Sequence, residues 1–258
     1  MPELIEVESY RTAAARLVGS RITRVECADD RYLRHTVDLL ALRSVLEGAR
    51  LTDVGRHGKV MLLGTDRGHV LGVRFGMTGR LSVDGYEPIT ELRYGPSGTG
   101  DGVRRFGIGT TAGAAWVLDP RRLGSVELDP DLTVLGPDAA SLRVDDLRPA
   151  LRSSRALKAV LLDQQSVAGL GNLLVDESLW RAGLAPGRPA ESLGAAEQVR
   201  LVRTVVRTVA QLTRRGGSHT GDLQEARDAR GACPRCGAAL AVDRIGGRTT
   251  IWCPGDQR

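Results

Sequence analysis

The sequence contains little lysine and no long apolar run. Of its 36 basic residues only two are lysines, Lys59 and Lys158. The formal net charge of +5 and the pI of about 9.4 suit a polyanionic partner. However, a composition rich in arginine and alanine is also typical of GC-rich genomes, so the charge alone is weak evidence of function.

No apolar stretch approaches the roughly 20 residues that a membrane-spanning helix needs. The chain begins acidic and then becomes mixed, without the basic start and apolar run of a signal peptide. These absences argue against a membrane protein and against an exported protein. We therefore expect a cytoplasmic chain.

Cysteine is also scarce, and three of the four cysteines lie near the C-terminus. Cys233 and Cys236 form a pair with two residues between them, and Cys253 follows after a further 16 residues. This crowding is typical of metal ligands in a reducing cytosol rather than of disulfides, and it is nearly that of a four-cysteine zinc ribbon. Asp256 stands at the fourth position. Zinc accepts carboxylate oxygen, so we predict one structural Zn²⁺ held by three cysteines and Asp256, with a metal-free hairpin as the alternative.

The first eight residues offer a chemical function. If Met1 is removed, Pro2 becomes a free secondary amine, and an α-amino group has a reference pKa of about 8, against about 10.4 for lysine. Such an amine can attack a sugar C1′ and form a cationic Schiff base, with Glu3 and Glu6 placed for proton transfer. The alternative is an ordinary helix whose first turn is acidic.

The first half of the chain alternates between short strand-like runs and two helical patterns. Helices are predicted over 6–18 and 36–46. The predicted strands are 21–27, 50–55, 59–64, 69–75, 103–108 and 114–119. A long loop is predicted over 84–102. These elements indicate a β-sandwich flanked by helices.

The second half is helical. Helices are predicted over 141–152, 155–164, 172–182 and 192–215, with Ser192 capping the last of these and Asn172 able to cap the third. We therefore predict an α+β chain with three domains. These are an N-terminal β-sandwich over 1–134, a helical domain over 135–226 and a zinc-ribbon-like hairpin over 227–258.

Several segments resemble one known family. They are Pro2–Glu8, Gly58-Lys59, Phe75–Arg80, Asp119–Gly124, Val167–Asn172 and the cysteine pattern that begins at Cys233. In this order they resemble the Fpg/Nei family of DNA glycosylases/AP lyases over nearly the whole chain. The resemblance implies a helix–two-turn–helix motif at Val167–Asn172. It also implies a bifunctional enzyme that removes an oxidised base from duplex DNA lying between two domains and then cleaves the strand by β,δ-elimination.

The resemblance implies a catalytic role for five residues. They are Pro2 as nucleophile, Glu3 as proton donor to the sugar ring oxygen, Glu6, Lys59 at a phosphate, and Arg248 at the hairpin tip. The alternative is a non-catalytic damaged-DNA-binding protein of the same fold. In either case we expect a monomer that binds damaged double-stranded DNA.

The resemblance also implies contacts to the DNA. Met77 and the Arg121–Leu123 loop would fill the gap left by an extruded base, with Arg121 reading the opposite base and Arg122 pairing with a phosphate. Asn172 would bind the phosphate beside the lesion, and Arg155 and Lys158 would form a basic approach to it.

The chain departs from the family pattern at four places. Ile5 replaces a proline, Leu123 replaces a phenylalanine, and Asp256 replaces a cysteine. The segment 217–231 is shorter than in typical Fpg enzymes, where it helps to hold 8-oxoguanine.

Overall fold

The computed structural model describes residues 1–33, 38–89, 92 and 101–258. The first two residues of the predicted helix 36–46, and most of the predicted loop 84–102, lie outside these described residues. The chain forms two compact units. The first contains residues 1–2 and 6–132, and the second contains residues 3–5 and 133–258.

The first unit is built on two four-stranded antiparallel sheets. Their strand orders are β1-β6-β7-β5 and β2-β3-β4-β8. The strands are β1 Ile22–Cys27, β2 Leu51–His57, β3 Val60–Thr65, β4 Val70–Arg74, β5 Arg80–Val83, β6 Arg104–Thr110, β7 Gly113–Leu118 and β8 Ser125–Leu128. One apolar core contains side chains from both sheets, such as Phe106 from β6 and Met61 from β3. The predicted β-sandwich is therefore confirmed.

Two strands of the sandwich, β5 and β8, were not predicted. Each has only four residues, which is too short for an alternating pattern to stand out. The residues of β5, Arg80-Leu81-Ser82-Val83, alternate between polar and apolar types, but all four are buried, so this alternation does not mark a solvent-facing side.

Two helices accompany the sheets. Helix α1 spans Leu4–Ala14 and continues as a 3-10 turn over Ala15–Leu17, while α2 spans Leu39–Leu46. The Asp38 carboxylate caps α2 by accepting a hydrogen bond from the Ala41 N–H at 2.8 Å. Tyr10 of α1 is fully buried, and its ring lies 4.5 Å from that of Phe75.

The second unit is helical and ends in a β-hairpin. Its helices are α3 Val144–Leu147, α4 Leu157–Leu162, α5 Asn172–Ala182, α6 Ala195–Arg215 and α7 Gln224–Ala229, and its strands are β9 Ala241–Ile245 and β10 Arg248–Trp252. Leu4 and Ile5 are buried in the apolar core of this unit. None of the described helices combines the length and the apolar character that crossing a bilayer requires.

Two predicted helices differ from the observed ones. The predicted helix 141–152 consists of α3 between two 3-10 turns. Arg148 and Pro149 keep helical backbone angles, but Pro149 has no N–H with which to continue the hydrogen bonds of α3. Helix α6 begins at Ala195 rather than at 192. Ser192 donates its hydroxyl to the Pro189 carbonyl instead of capping α6, and Glu197 accepts the Gly194 N–H at 3.0 Å.

Candidate active site and DNA-contacting residues

Glu3 is a buried carboxylate held by the start of α5. Its oxygens accept hydrogen bonds from the backbone N–H groups of Gly171, Leu173 and Leu174, at 2.7, 2.9 and 3.2 Å. These N–H groups have no partner within the helix, and the helix dipole favours a negative charge beside them. A Cβ at Gly171 would lie 2.3 Å from the Glu3 carboxyl carbon, so this close approach requires glycine.

This arrangement corrects the expectation that Asn172 caps α5. Asn172 is already the first helical residue, and Gly171 occupies the capping position without a side chain to use. Glu3 supplies the cap from a distant part of the sequence. The residue that directly follows Pro2 is therefore fixed by backbone contacts that no local pattern reveals.

The other two N-terminal candidates belong to the first unit. Pro2 and Glu6 are both buried, and Glu6 is 3% exposed.

Lys59 lies in the turn between β2 and β3 and is half-buried. Gly58 precedes it with φ of +56°, and its carbonyl accepts a hydrogen bond from Arg56 at 2.8 Å. Arg56 also pairs with Glu8 of α1, at 3.2 Å. The turn that carries the candidate lysine is thus fixed to α1 of the same unit.

A single buried carboxylate, Asp119, organises the loop that was predicted to enter the DNA. Asp119 is 0% exposed. It accepts hydrogen bonds from the backbone N–H groups of Arg121, Leu123 and Gly124 and from the hydroxyls of Tyr32 and Thr78. Burial, with the nearby charge of Asp119, raises the pKa of Tyr32, which therefore stays protonated and can donate.

The predicted gap-filling residues come together in the first unit. Thr78, next to Met77, shares Asp119 with the 119–124 loop. A Cβ at Gly76 (φ +60°) would lie 2.4 Å from the Leu123 carbonyl carbon, so the two turns touch. Arg121 is exposed and Leu123 is 40% exposed.

Arg122 faces a different partner from its neighbours. Its backbone is left-handed, with φ of +57°, and its guanidinium lies 3.3 Å from the Asp29 carboxylate. Sequence reasoning had no signal for Asp29. A phosphate contact by Arg122 would compete with this ion pair.

The structure corrects the expectation that Lys158 contacts DNA. Its side chain is 0% exposed, and its ammonium donates to Asp176 at 2.7 Å and to the Thr249 carbonyl at 3.0 Å. Burial lowers the pKa of Lys158, against the opposing effect of Asp176. A cation enclosed in this way cannot reach a phosphate.

Asn172, the first residue of α5, is half-buried, and Arg155, just before α4, is exposed. The Asn172 amide donates to the Thr249 carbonyl at 3.0 Å, while its Oδ1 has no hydrogen-bond partner within the described part of the chain. The Arg155 side chain is 54% exposed and pairs with Asp163 at 3.0 Å. Arg248 is exposed at the start of β10, at the predicted hairpin tip.

Three cysteines of the second unit lie close enough to share a metal ion. The sulfurs of Cys233, Cys236 and Cys253 all lie within 4.8 Å of one another. The Trp180 indole donates to Cys233 Sγ at 3.3 Å. Three convergent thiols are a donor set that suits zinc.

The cysteines differ in how readily they ionise. Burial, together with the Cys236 and Cys233 thiols, raises the pKa of Cys253 to about 12. Although burial opposes it, hydrogen bonds from Trp180 and from the backbone lower the pKa of Cys233 to about 6. A bound cation would favour the thiolate form of all three.

The sequence predicted that Asp256 would be the fourth ligand beside the three sulfurs, but the structure does not place it there. Its carboxylate instead accepts a hydrogen bond from Arg235. The same guanidinium donates to the Trp180 carbonyl and stacks 4.4 Å from the Trp180 ring centroid. Arg235 thus pairs with Asp256 and, through Trp180, connects the C-terminal hairpin region to α5.

Sequence comparisons connect this arrangement to known proteins. Residues 1–126 match the family model described as the formamidopyrimidine-DNA glycosylase N-terminal domain, and residues 135–223 match the formamidopyrimidine-DNA glycosylase H2TH domain. Two relatives, both named formamidopyrimidine-DNA glycosylase, are 35% identical. One is from Geobacter metallireducens, with 98% of each chain covered, and the other is from Laribacter hongkongensis, with 100% of each covered.

A solved structure is similar over its whole length. It is the wild-type Lactococcus lactis Fpg (MutM) in complex with a DNA containing N7-benzyl-Fapy-dG. The two chains are 26% identical, the TM-score is 0.84, and 100% of each is covered. From these matches and the shared fold, the chain belongs to the Fpg/Nei family of DNA glycosylases.

Proposed function

We propose that this protein is a bifunctional DNA glycosylase/AP lyase of base excision repair that acts on damaged duplex DNA. The observation that carries the proposal is the buried carboxylate of Glu3, directly after Pro2, held by three N–H groups at the start of α5. The relatives' names and the DNA in the similar solved complex support the same activity.

The chemistry begins once Met1 has been removed. The Pro2 nitrogen bonds to C1′ of the damaged nucleotide, the N-glycosidic bond breaks, and the base leaves with the bonding electron pair and takes up a proton. The Glu3 carboxylate takes the proton that the Pro2 nitrogen must lose and passes it to the sugar ring oxygen, so that the ring opens as the iminium forms. The helix N–H groups stabilise Glu3 as a carboxylate before and after this transfer.

The resulting iminium acts as an electron sink. Loss of a C2′ proton expels the 3′ phosphate, and loss of a further proton expels the 5′ phosphate. Glu6 assists proton transfer. Lys59 and Arg248 hold the phosphates that leave, and hydrolysis of the iminium returns the free Pro2 amine.

The remaining residues bind the DNA. Met77, Arg121 and Leu123 fill the gap left by the extruded base, and Arg122 exchanges Asp29 for a phosphate. Asn172 and Arg155 bind the backbone beside the lesion. Leucine stacks less well than an aromatic ring, so we expect a weaker opposite-base preference than that of a phenylalanine-bearing relative.

We also propose that the C-terminal residues 227–258 act as a separate module. Cys233, Cys236 and Cys253 would hold a zinc ion, which, when bound, ties the two ends of the hairpin together. Asp256 stays with Arg235. The protein would work as a monomer in the cytoplasm, where its DNA substrate lies.

The test is a panel of duplexes that carry an oxidised purine, an oxidised pyrimidine or no damage. The enzyme is expected to release the damaged base and to leave a phosphate at both ends of the gap, as β,δ-elimination requires. A non-catalytic binder of the same fold would retain the damaged duplexes without releasing a base. That outcome would overturn the proposal.

A further inference from the structure

A buried charge cluster lies between α4, α5, α7 and the β9–β10 hairpin. It consists of Lys158, Asp176 and Arg227, whose side chains are 0, 1 and 6% exposed. Asp176 accepts hydrogen bonds from both cations, on different oxygens. Burying three charged groups is costly unless each is paired, so this cluster is an unusual feature of the core.

The cluster reaches β10 at two backbone atoms. The Asp176 carboxylate accepts the Ile251 N–H at 3.3 Å, and the Lys158 ammonium donates to the Thr249 carbonyl at 3.0 Å. The Asn172 amide donates to that same carbonyl. Thus the edge of β10 is held by α4 and α5 through side chains.

Arg248 directly precedes these held residues. It is exposed, and it begins the strand whose next residue, Thr249, is fixed through its carbonyl. Asn172, which shares that carbonyl, is the candidate phosphate ligand on α5. The cluster therefore links the positions of two proposed phosphate-binding residues, one on the β9–β10 hairpin and one on α5.

We propose that Asp176, with Lys158 and Arg227, is a positioning group that holds β10 so that Arg248 and Asn172 engage the DNA backbone together. The inference rests on the proposed DNA-binding role of Arg248. It assigns Lys158 a buried structural task instead of a phosphate contact. The packing of the β9–β10 hairpin against α4 and α5 would then depend on this charge pairing as well as on the cysteines.

The first experiment compares Asp176→Asn with the wild type by hydrogen exchange over residues 248–252. Because the Ile251 N–H then faces a neutral amide instead of a carboxylate, and Lys158 and Arg227 lose the charge that pairs with them, exchange in this strand is expected to become about tenfold faster or more. Arg203→Met, which removes an exposed cation from α6 of the same unit, is the matched control and should leave this exchange unchanged. Unchanged exchange in Asp176→Asn would overturn the proposal.

The second experiment measures binding to an abasic duplex for Asp176→Asn, Arg248→Ala and the double variant. If the cluster acts partly through Arg248, both single variants weaken binding, and the double variant loses less than the sum of the two single losses, because the share that acts through Arg248 is already gone. Additive losses would show that Asp176 affects only general stability, and would contradict the inference. Borohydride trapping at saturating enzyme should persist in Asp176→Asn, since the nucleophile is elsewhere.

A folding failure of Asp176→Asn and a failure of the proposed role of Arg248 can be told apart. If Asp176→Asn does not fold, Lys158→Met replaces it, because this variant leaves Asp176 paired with Arg227 and the Ile251 N–H. Faster exchange of 248–252 is again expected, and unchanged exchange again contradicts the inference. If Arg248→Ala binds DNA like the wild type, the proposed role of Arg248 fails and the functional half of this inference fails with it, while base release still tests the glycosylase activity independently.

Discussion

Asp119→Asn should loosen the loop that carries Arg121 and Leu123 without changing its size. The Oδ2 atom of Asp119 accepts from Leu123 and Gly124 at 2.8 Å each and from Tyr32 at 3.3 Å. Its Oδ1 atom accepts from Thr78 and, at 3.2 Å, from Arg121. Asparagine keeps one oxygen and replaces the other with an NH₂ group that cannot accept.

The cost can be worked from these contacts. If the amide nitrogen takes the place of Oδ1, the Thr78 hydroxyl can turn to accept from it, and the Arg121 N–H keeps Thr78 Oγ1, 3.4 Å away, as its acceptor. The bonds from Tyr32, Leu123 and Gly124 lose the help of the negative charge. The weakening of these bonds gives a loss of about 2 kcal/mol in the free energy of unfolding.

The assay is urea denaturation of the whole protein, together with measurements of base excision and of cleavage at a preformed abasic site. Asp66→Asn is the matched control, because Asp66 is an exposed aspartate in the first unit that accepts one backbone N–H, from Arg50 at 2.8 Å. It should cost less than about 1 kcal/mol. We expect Asp119→Asn to impair base excision more than cleavage at a preformed abasic site. Equal stability losses in the two variants, with unchanged excision, would refute the reasoning.

Three further predictions follow from individual contacts. Arg121→Ala should reduce base excision much more than cleavage at an abasic site, because extrusion is easier without a base, and equal losses would count against gap filling. Asp256→Asn should leave the metal content per chain unchanged while Cys236→Ser lowers it; a metal-free Asp256→Asn protein would show that the carboxylate is a ligand after all. Arg188 lowers the pKa of Glu197 to about 2 from 4.5, so their pairing stabilises the fold above pH 4.5 and this contribution is lost as the pH falls towards 2. Glu197→Gln should flatten that part of the stability–pH profile, and an unchanged acid profile would contradict this assignment.

The sequence predicted what local patterns determine. The sandwich and the long helix α6 follow from strand alternation and helical periodicity, which act over a few positions. The family resemblance identified Asp119 only as the first residue of the Asp119–Gly124 loop, without a role of its own. That its carboxylate gathers five donors follows from the fold, because two of them, Tyr32 and Thr78, lie far away in the sequence.

The failures of sequence reasoning concern long-range partners. Glu3 caps a helix that begins 169 positions later, at Asn172, so the local capping rule chose the wrong residue. Lys158 was predicted to contact DNA because no local sequence pattern indicates its partner, Asp176, which lies 18 residues further on. Asp256 matched a ligand position by spacing, but Arg235, 21 residues before it, competes for the same carboxylate.

The measurement that tests the central claim most directly is reductive trapping on an abasic duplex, followed by mass spectrometry of the adduct. The chain has few amines that could form a Schiff base, since Lys59 and Lys158 are its only lysines. We predict a borohydride-stabilised adduct on the peptide that begins at Pro2, with Met1 absent from the active protein. An adduct on Lys59, or full activity in protein that retains Met1, would contradict the assignment of Pro2 as the nucleophile.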